Sequence, residues 1–503
     1  MTKDLLISID CSTTGVKCVV WDAAGKLIAS GRATLDLSVP SLGFAEQDAR
    51  QWWSATCIAV NDAVKGLDPD RIAAVCVAHQ RESFACLDEL GEPIRPAMLW
   101  LDVRASAEVE SAGTNRVHQV TGKPPNPTPA FYKLLWLQKH EPDAMRQTRH
   151  VVETHGYLVN KMTGSWRTSV ASADPLGLVD LLTGDYDNEL LAAVGLSRDQ
   201  LSELVPPGDV IGELTAAAAR ALGLAEGLPV VSGAGDGQAA ALGADITMPG
   251  RAYLNLGTGL VSGCYSDSYV ANRAYRALTG PIPGTFSFEV FIGAGTYMIN
   301  WFIDTFIGPH AATQVADEPI EYQLELEAAH VAPGSQGLFV VPYWNGALTP
   351  YWDHNARGIM FGFTGVHDRA HIYRAVLEGL AFELRLCFGL AEVELSEPIG
   401  SLVVMGGGAQ SELWCQILAD VLRKPIVISE EQESTCLGAG MLAAAGVGLY
   451  GSIREASAAM SSFGKTYFPQ EEQSLVYDPY FEVYREIYPS TRDLFSSMAK
   501  VIK

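Results

Sequence analysis

The chain has 503 residues, a formal net charge of −23 and a hydrophobic content of 48%. This length exceeds what one hydrophobic core organises, so we predict at least two domains, and the hydrophobic content excludes a disordered chain. The acidic balance and the absence of any lysine or arginine cluster argue against a nucleic-acid-binding protein.

The cysteines and the apolar runs bear on the compartment. The nine cysteines include no CxxC pair, and Cys11, Cys18, Cys76 and Cys86 are predicted to be buried thiols because they lie in or beside apolar runs. An aspartate interrupts the apolar start of the chain, so we predict no signal peptide, and no run of about 18 apolar residues predicts a membrane span. We therefore expect a cytoplasmic protein without membrane contact.

Residues 5–35 favour β-structure, and the first turn between two strands is unusually polar. The stretch "LISIDCSTTGVKCVVWD" (6–22) collects an aspartate, three hydroxyl groups, a glycine and a lysine at this turn: Asp10, Ser12, Thr13, Thr14, Gly15 and Lys17. Successive N–H groups of such a turn cradle phosphate oxygens, a carboxylate at the strand end can hold magnesium through water, and a lysine offsets phosphate charge. An ordinary hairpin turn explains this motif alone equally well.

The following segments alternate between helix and strand patterns. Apolar residues at helical spacing, including Trp52 and Ala55, predict a helix over 46–67, and "RIAAVCVAHQ" (71–80) predicts a buried strand. Residues 132–145 and 215–224 predict further helices. This alternation predicts an α/β protein with mixed sheets.

The plan of the first half recurs in the second half. Residues 251–267 again predict strand, Gly/Thr turn and strand, and the strand, glycine turn and helix pattern of 228–245 recurs in 401–422, followed by a small-residue helix in 436–451. Two similar halves are the simplest interpretation. Because "TMPG" (247–250) interrupts regular structure, we predict domains at 1–246 and 247–503.

Three glycine-rich segments are candidates for chemistry. In "GAGDGQ" (233–238), Asp236 lies among glycines after a strand, which suits a general base, although an isolated Asp/Gly motif is more often a simple turn. "NLGTGL" (255–260) predicts a second phosphate turn, and "MGGGAQSE" (405–412) predicts a backbone shelf for a flat ring. No GxxxxGK[ST] motif occurs, and the GxGxxG spacing is poorly met. Together these segments indicate a nucleotide in a cleft between two domains.

The full set of motifs, in order, resembles the FGGY family of carbohydrate kinases, in the actin, hexokinase and Hsp70 superfamily. The resemblance spans nearly the whole chain and includes "DCSTTGVK", "AHQRESFACLDELGEPIRPAMLWLDVRA" (78–105), "GAGDGQAAALG", "NLGTG", "TPYWDHNARGIMFGFT" and "GGGAQSELWCQILAD". It implies an α/β fold of two ribonuclease-H-like domains around a central cleft. It also implies ATP and Mg²⁺ as cofactors and a small sugar or polyol as substrate. The resemblance is compatible with a homodimer.

The resemblance assigns roles to residues by position. Asp236 falls where the family has its catalytic base, and Asp10 falls where it has the magnesium-side aspartate. The remaining assignments are to ATP, namely Ser12, Thr13, Thr14, Lys17, Gly257, Thr258, Gly259, Gly407, Gly408 and Ala409, and to the substrate, namely Gln80, Arg81, Glu82, Trp100 and Asp236.

The predicted substrate pocket is a hybrid. "EQDARQWW", "KLLWLQKHEP" and "LSRDQL" look like xylulose kinases, whereas Arg81 and Glu82 resemble the polyol-binding pair of glycerol kinases. Thr128 and Gly237 stand where glycerol kinases have an aromatic residue and a glutamine, so we expect more room than a three-carbon substrate needs. A ketopentose such as xylulose is therefore favoured over glycerol, erythritol or xylitol. Arg81 and Glu82 as a surface ion pair, and Trp100 as a core residue, remain the alternatives.

Two other classes of protein stay open on sequence grounds. An actin-like filament protein would use the same nucleotide cleft without a base at Asp236 or a polar segment at 78–105, and a regulator would keep the fold without catalysis. No helix-turn-helix segment precedes residue 6, which argues against a DNA-binding repressor. Two half-chains around one cleft also predict hinge closure on substrate.

Overall fold

The computed structural model describes residues 3–308 and 320–501. Its first half carries strands β1 to β14 at Leu5–Cys11, Gly15–Asp22, Leu27–Thr34, Glu46–Gln47, Ile72–His79, Phe84–Leu87, Ala97–Met98, His150–Glu153, Arg167–Ser169, Val179–Asp180, Asp185–Tyr186, Glu203–Val205, Val210–Glu213 and Pro229–Gly235. Helices α1 to α10 of this half lie at Arg50–Ala63, Ser106–Ala112, Asn115–Thr121, Ala130–His140, Pro142–Gln147, Thr154–Thr163, Val170–Ala173, Asn188–Ala193, Ala216–Leu222 and Asp236–Gly243.

The second half repeats the mixture of strands and helices. Strands β15 to β23 lie at Arg251–Leu256, Leu260–Ser266, Arg276–Thr279, Phe286–Ile292, Phe339–Val341, Ile359–Phe361, Ser401–Met405, Ile426–Ser429 and Phe463–Tyr467. Helices α11 to α17 lie at Thr296–Phe302, Ile320–Ala329, Arg369–Ala391, Glu412–Leu422, Ser434–Gly446, Ile453–Met460 and Glu471–Val501.

Two mixed sheets of the same plan confirm the internal repeat. The first sheet has the order β13-β14-β5-β1-β2-β3 and the second has the order β17-β18-β16-β15-β21-β22-β23. In each sheet a hairpin and a third strand pair antiparallel (β1, β2, β3 and β15, β16, β18). On the other side of the first strand, β5 pairs in parallel with β1 and β14 with β5, just as β21 pairs with β15 and β22 with β21. Since the carboxyl ends of parallel strands meet at one edge, each half places its turns at the same edge of its sheet.

The helices that follow β14 and β22 join the halves. Helix α15 packs its small residues on the first sheet, in a core with Leu6, Trp21 and Val231, although it belongs to the second half by sequence. Helix α10 packs in turn beside Tyr253 and Val403 of the second sheet. The two helices touch through glycine, because a Cβ atom at Gly438 would overlap the carbonyl oxygen of Ala239.

Two predicted helices differ from the structure. The segment 132–145 is divided into α4 and α5, because Pro142 starts a new helix and the preceding Glu141 leaves the helical region at φ −130° and ψ 54°. The segment 46–67 begins as strand β4, which pairs with β7, and its helix starts only at Arg50.

The four cysteines in or beside apolar runs lie in the interior. Cys11, Cys18, Cys76 and Cys86 are buried free thiols, as predicted. Among residues 3–308 and 320–501, no helix combines the length and apolar character needed to cross a membrane.

Candidate active site

The first polar turn, between β1 and β2, is closed by its own side chains. The Ser12 hydroxyl donates to the Gly15 carbonyl at 2.8 Å. The Thr13 hydroxyl donates to Gln80 Oε1 at 3.2 Å and accepts from the Trp100 indole at 2.9 Å. Thr14 and Ser12 both line an open cavity of about 650 Å³ together with Asp10 and Lys17. Of the three hydroxyl residues, Thr14 is the exposed one, and the Ser12 hydroxyl is already used within the turn.

The surroundings of the Asp10 carboxylate favour a bound cation. Its Oδ1 is buried and has no hydrogen-bond partner within the described residues. Burial, and next the negative charge of Asp236, raise the pKa of Asp10 to about 7, while Lys17 acts in the opposite direction. The described residues contain no group of three or more His, Cys, Asp or Glu side chains arranged to hold a metal. Asp10 would therefore suit a magnesium ion that phosphate oxygens and water would also ligate.

Lys17 forms an ion pair with Glu433, the residue before α15. Glu433 Oε1 also contacts the Arg32 guanidinium at 3.2 Å. The Lys17 ammonium therefore faces a carboxylate of the second half beside the first turn. Nothing in the sequence around Glu433 predicted this contact.

The second turn and the glycine shelf lie together. Gly257 and Thr258 accept backbone bonds from the start of α11, at 2.9 Å from Thr296 and 3.3 Å from Tyr297. Gly406, at φ 88°, abuts this turn, since a Cβ atom there would lie 2.5 Å from Asn255 Oδ1. A Cβ atom at Gly407 would meet nothing within 4 Å, whereas Gly408 is packed against Leu256 and Trp414. The shelf thus has one open face at Gly407.

A cavity of about 700 Å³ lies between the two halves and joins the predicted sugar segment to the second turn. Residues of the first half that line it are Arg81, Glu82, Trp100, Leu101, Val103, Asn126, Thr128 and Asp236. Residues of the second half that line it are Asn255, Gly257, Thr258, Gly259, Val261, Arg276, Phe291, Gly293, Tyr297, Asn345, Leu348 and Trp352.

Asp236 is presented to this cavity by the junction of β14 and α10. It is the first residue of α10, where the helix N-terminus favours a negative charge. Its Oδ1 accepts a hydrogen bond from Gly237 N at 2.7 Å and lies 2.8 Å from Arg81 Nε in an ion pair. Its side chain is 42% exposed, and Oδ2 accepts no hydrogen bond from the described residues. One carboxylate oxygen is therefore held and the other is available to a ligand.

A chain of buried charges extends from Asp236 into the second half. Arg81 Nη1 contacts Glu289 Oε2 at 2.8 Å, Glu289 Oε1 accepts from Arg276 Nε at 2.6 Å, and Arg276 Nη1 contacts Glu82 Oε1 at 2.6 Å. Burial alone would raise the pKa of Glu289, but the charges of Arg276 and Arg81 lower it to about 2. Arg81 and Glu82 are thus a buried part of the cavity wall, and their interpretation as a surface ion pair is wrong.

The structure also locates the other predicted substrate residues. Trp100 lines the cavity and is partly exposed there, so it does not simply fill the core. Gln80 is 2% exposed and supports the first turn through Thr13, and it does not line the cavity. The Thr128 hydroxyl donates to Asn126 Oδ1 at 2.6 Å at the cavity wall.

Gly237 does not provide the room that its sequence position suggested. A Cβ atom there would lie 2.7 Å from Glu289 Oε2 and 3.0 Å from Arg81 Nη2. The space beside this glycine is therefore filled by the Arg81–Glu289 pair rather than left for the substrate. The prediction of extra room at Gly237 is therefore wrong. The expectation of a substrate longer than glycerol now depends on Thr128 alone.

Sequence reasoning missed two charged residues, Arg276 in the cavity wall and Glu289 buried behind it. Each is the only charged residue of its strand, as in "FSFEVFI" for Glu289. Charged residues are seldom fully buried without a partner, so an isolated charge in such a strand was the available signal.

Sequence models of the FGGY family of carbohydrate kinases match the chain twice. The N-terminal-domain model matches residues 5–243 and the C-terminal-domain model matches residues 252–447. The chain belongs to the FGGY family of carbohydrate kinases. As a member of this family it is a phosphotransferase with an alcohol group as acceptor, and ATP is the expected phosphate donor.

Individual FGGY kinases resemble the chain over almost its full length. It is 27% identical to a xylulose kinase of Bacillus subtilis, covering 98% of each chain. It is 30% identical to a glycerol kinase of Alkalilimnicola ehrlichii, covering 91% of this chain and 93% of the relative. The crystal structure of a gluconate kinase from Lactobacillus acidophilus superposes with a TM-score of 0.91 at 26% identity, covering 98% of this chain and 99% of that one. These relatives agree in fold and in class of reaction, and they differ in the substrate that each name gives.

Proposed function

We propose that this FGGY kinase phosphorylates a hydroxyl group of a small uncharged sugar, with a ketopentose such as xylulose favoured, and uses Asp236 as the general base. The observation that carries the proposal is the position of Asp236. Its side chain is 42% exposed in the cavity between the halves, beside Arg81, and its Oδ2 accepts no hydrogen bond from the described residues.

The charge of the cavity supports an uncharged substrate. Asp236, Glu82 and Glu289 contribute three carboxylates, and Arg81 and Arg276 contribute two guanidinium groups, so the network has a net charge of minus one. Both arginines are already paired with carboxylates. A sugar acid such as gluconate would bring a further negative charge to a network that is already negative and whose two arginines are already paired, and we therefore expect the kinase to reject it.

The choice among neutral substrates rests on the cavity wall and on the resemblances. Adjacent donor and acceptor groups at Arg81 and Glu82 suit neighbouring hydroxyls of an open-chain sugar or polyol. Thr128 in place of an aromatic residue favours a substrate longer than glycerol. The xylulose-kinase-like segments favour a ketopentose, while a polyol such as erythritol or xylitol is the alternative that the Arg81–Glu82 pair supports.

Asp236 takes the proton of the attacking hydroxyl while that oxygen bonds to the γ-phosphorus and the bond to ADP breaks. The N–H groups of the two turns, with Thr14 and Thr258, orient the phosphates. Asp10 would hold magnesium, which neutralises phosphate charge when bound. In this assignment the Gly407 shelf receives the adenosine, and residues 1–246 and 247–503 act as the two domains of the cleft.

A coupled assay of ADP release tests both the substrate and the base. We expect turnover with xylulose or another four- or five-carbon neutral substrate, a lower kcat/KM with glycerol, and none with gluconate. Asp236→Asn should lower kcat roughly 10²- to 10⁴-fold, whereas Asp209→Asn, at an exposed loop position outside the described cavities, should leave it unchanged. Gluconate as the best substrate, or near-full kcat in Asp236→Asn, would overturn the proposal. An actin-like filament protein would instead hydrolyse ATP on assembly and ignore every sugar.

A further inference from the structure

The predicted substrate loop is held from the other half of the chain. Glu82 has a left-handed backbone conformation with φ 58°, which non-glycine residues rarely adopt. Its carboxylate is 4% exposed and contacts Arg276 Nη1 at 2.6 Å. A strained backbone persists where its surroundings fix it, and here the buried contact with Arg276 does so.

Arg276 links two carboxylates through different nitrogens. Nη1 contacts Glu82, while Nε contacts Glu289 Oε1 at 2.6 Å. Glu289 Oε2 in turn contacts Arg81 Nη1 at 2.8 Å and accepts a hydrogen bond from the Tyr253 hydroxyl at 3.3 Å. Arg81 and Glu82 do not bind each other in this arrangement, so their relative position depends on the Arg276–Glu289 pair.

Strand β17, which carries Arg276, is itself fixed to the first half. Ala277 N donates to the Gly122 carbonyl at 2.9 Å, and Thr279 N donates to Asp174 Oδ2 at 2.9 Å. Asp174 is buried and paired with Lys123. The guanidinium of Arg276 is therefore anchored from both sides of the cavity.

We propose that Arg276 and Glu289 are positioning residues that hold Arg81 and Glu82 in the geometry that binds the sugar hydroxyls, and so determine affinity for the sugar. This inference rests on the proposed roles of Arg81, Glu82 and Asp236. It assigns a substrate-positioning role to two residues of the second half, outside every segment that carried the family resemblance.

The proposed positioning role requires the planar guanidinium of an arginine, which contacts Glu82 and Glu289 through different nitrogens. In Arg276→Lys the charge is kept, but a single ammonium cannot reproduce two contacts made by separate, rigidly spaced nitrogens. The sugar KM should rise about 10-fold or more, the effect expected from losing one charge-assisted hydrogen bond. The ATP KM should stay near the wild-type value because the turns that face ATP are untouched.

Glu289→Gln gives a second, nearly isosteric test. It keeps the shape of the side chain but removes the charge that Arg81 and Arg276 share, and we again expect a raised sugar KM with an unchanged ATP KM. Arg374→Lys is the matched control, because Arg374 Nε contacts Glu378 at 2.7 Å in an equally buried pair that lines no described cavity. It should lower the melting temperature without changing the sugar KM.

The decisive measurement is the KM for sugar and for ATP in each full-length variant, with melting temperature measured in parallel. A selective rise in sugar KM for Arg276→Lys and Glu289→Gln, absent from Arg374→Lys, supports the inference. If Arg276→Lys fails to fold, Glu289→Gln alone decides. A sugar KM at the wild-type value, or an equal rise for sugar and ATP, overturns it. Asp236→Asn in the same assay separates the two hypotheses, since a fully active Asp236→Asn refutes the proposed function whatever the positioning variants do.

Discussion

Replacing Gly237 by alanine should damage sugar binding through a contact that the substrate never makes. The new Cβ atom would lie 2.7 Å from Glu289 Oε2 and 3.0 Å from Arg81 Nη2. Both distances are shorter than ordinary van der Waals contact, so the ion pair must shift. Losing one charge-assisted hydrogen bond costs about 1.5–3 kcal/mol, which corresponds to a fall in kcat/KM of roughly 10- to 150-fold.

Thermal stability should change much less than activity in this variant. Gly237 is the second residue of α10, and alanine at a position with a helical backbone stabilises a protein by roughly 0.4–1 kcal/mol by restricting the unfolded chain, which partly offsets the strained pair. Steady-state kinetics with the best sugar, combined with thermal unfolding, therefore distinguish the effect from simple misfolding. Gly389→Ala is the control, because a Cβ atom at that position in α13 meets nothing within 4 Å and should leave kcat/KM unchanged. A folded Gly237→Ala enzyme with wild-type kcat/KM would refute the argument that this space is filled.

Four further predictions concern separate parts of the protein. Asp10→Ala should weaken binding of Mg·ATP more than binding of the sugar, because Asp10 lies beside the first turn; equal weakening of both in isothermal titration would count against its assignment. Glu82→Ala should lower kcat/KM roughly 10- to 150-fold on the best substrate; an unchanged value would remove Glu82 from substrate binding. Burial raises the pKa of Glu383 from 4.5 to about 7 against the bonds donated by the Tyr484 and Tyr343 hydroxyls. The folded state then binds the proton more tightly than the unfolded state, so Glu383 should cost roughly 2–4 kcal/mol of unfolding free energy as pH rises from about 4.5 through 7. Glu383→Gln should flatten that pH dependence in denaturant titrations, and an unaltered slope would contradict this. Small-angle scattering should show compaction when sugar and a non-hydrolysable ATP analogue bind together, as hinge closure requires; unchanged dimensions would indicate a rigid enzyme.

The local elements around the site followed from the sequence because their signals are local. The hairpin β1–β2, the junction of β14 with α10 and the second hairpin β15–β16 each combine an apolar run with a glycine or hydroxyl turn. Such turns are encoded by the few residues that form them. The repeated plan therefore predicted two similar halves, which the two sheets bear out, and the motifs in order predicted the family that the matches confirm.

The tertiary structure alone decided which charges meet. Arg276 and Glu289 lie about two hundred residues after Arg81 and Glu82 and occupy strands without any motif, so only the packing of β17 and β18 against the first half reveals the pairing. Glu433 reaches Lys17 because α15 packs on the sheet of the other half. Gly237 is a further contact that a local pattern could not predict. The sequence shows that a side chain is missing there, but the space is filled by Arg81 and Glu289, which come from distant segments. Ion pairs and packing contacts are formed by proximity in space, and a local pattern cannot specify a partner that far along the chain.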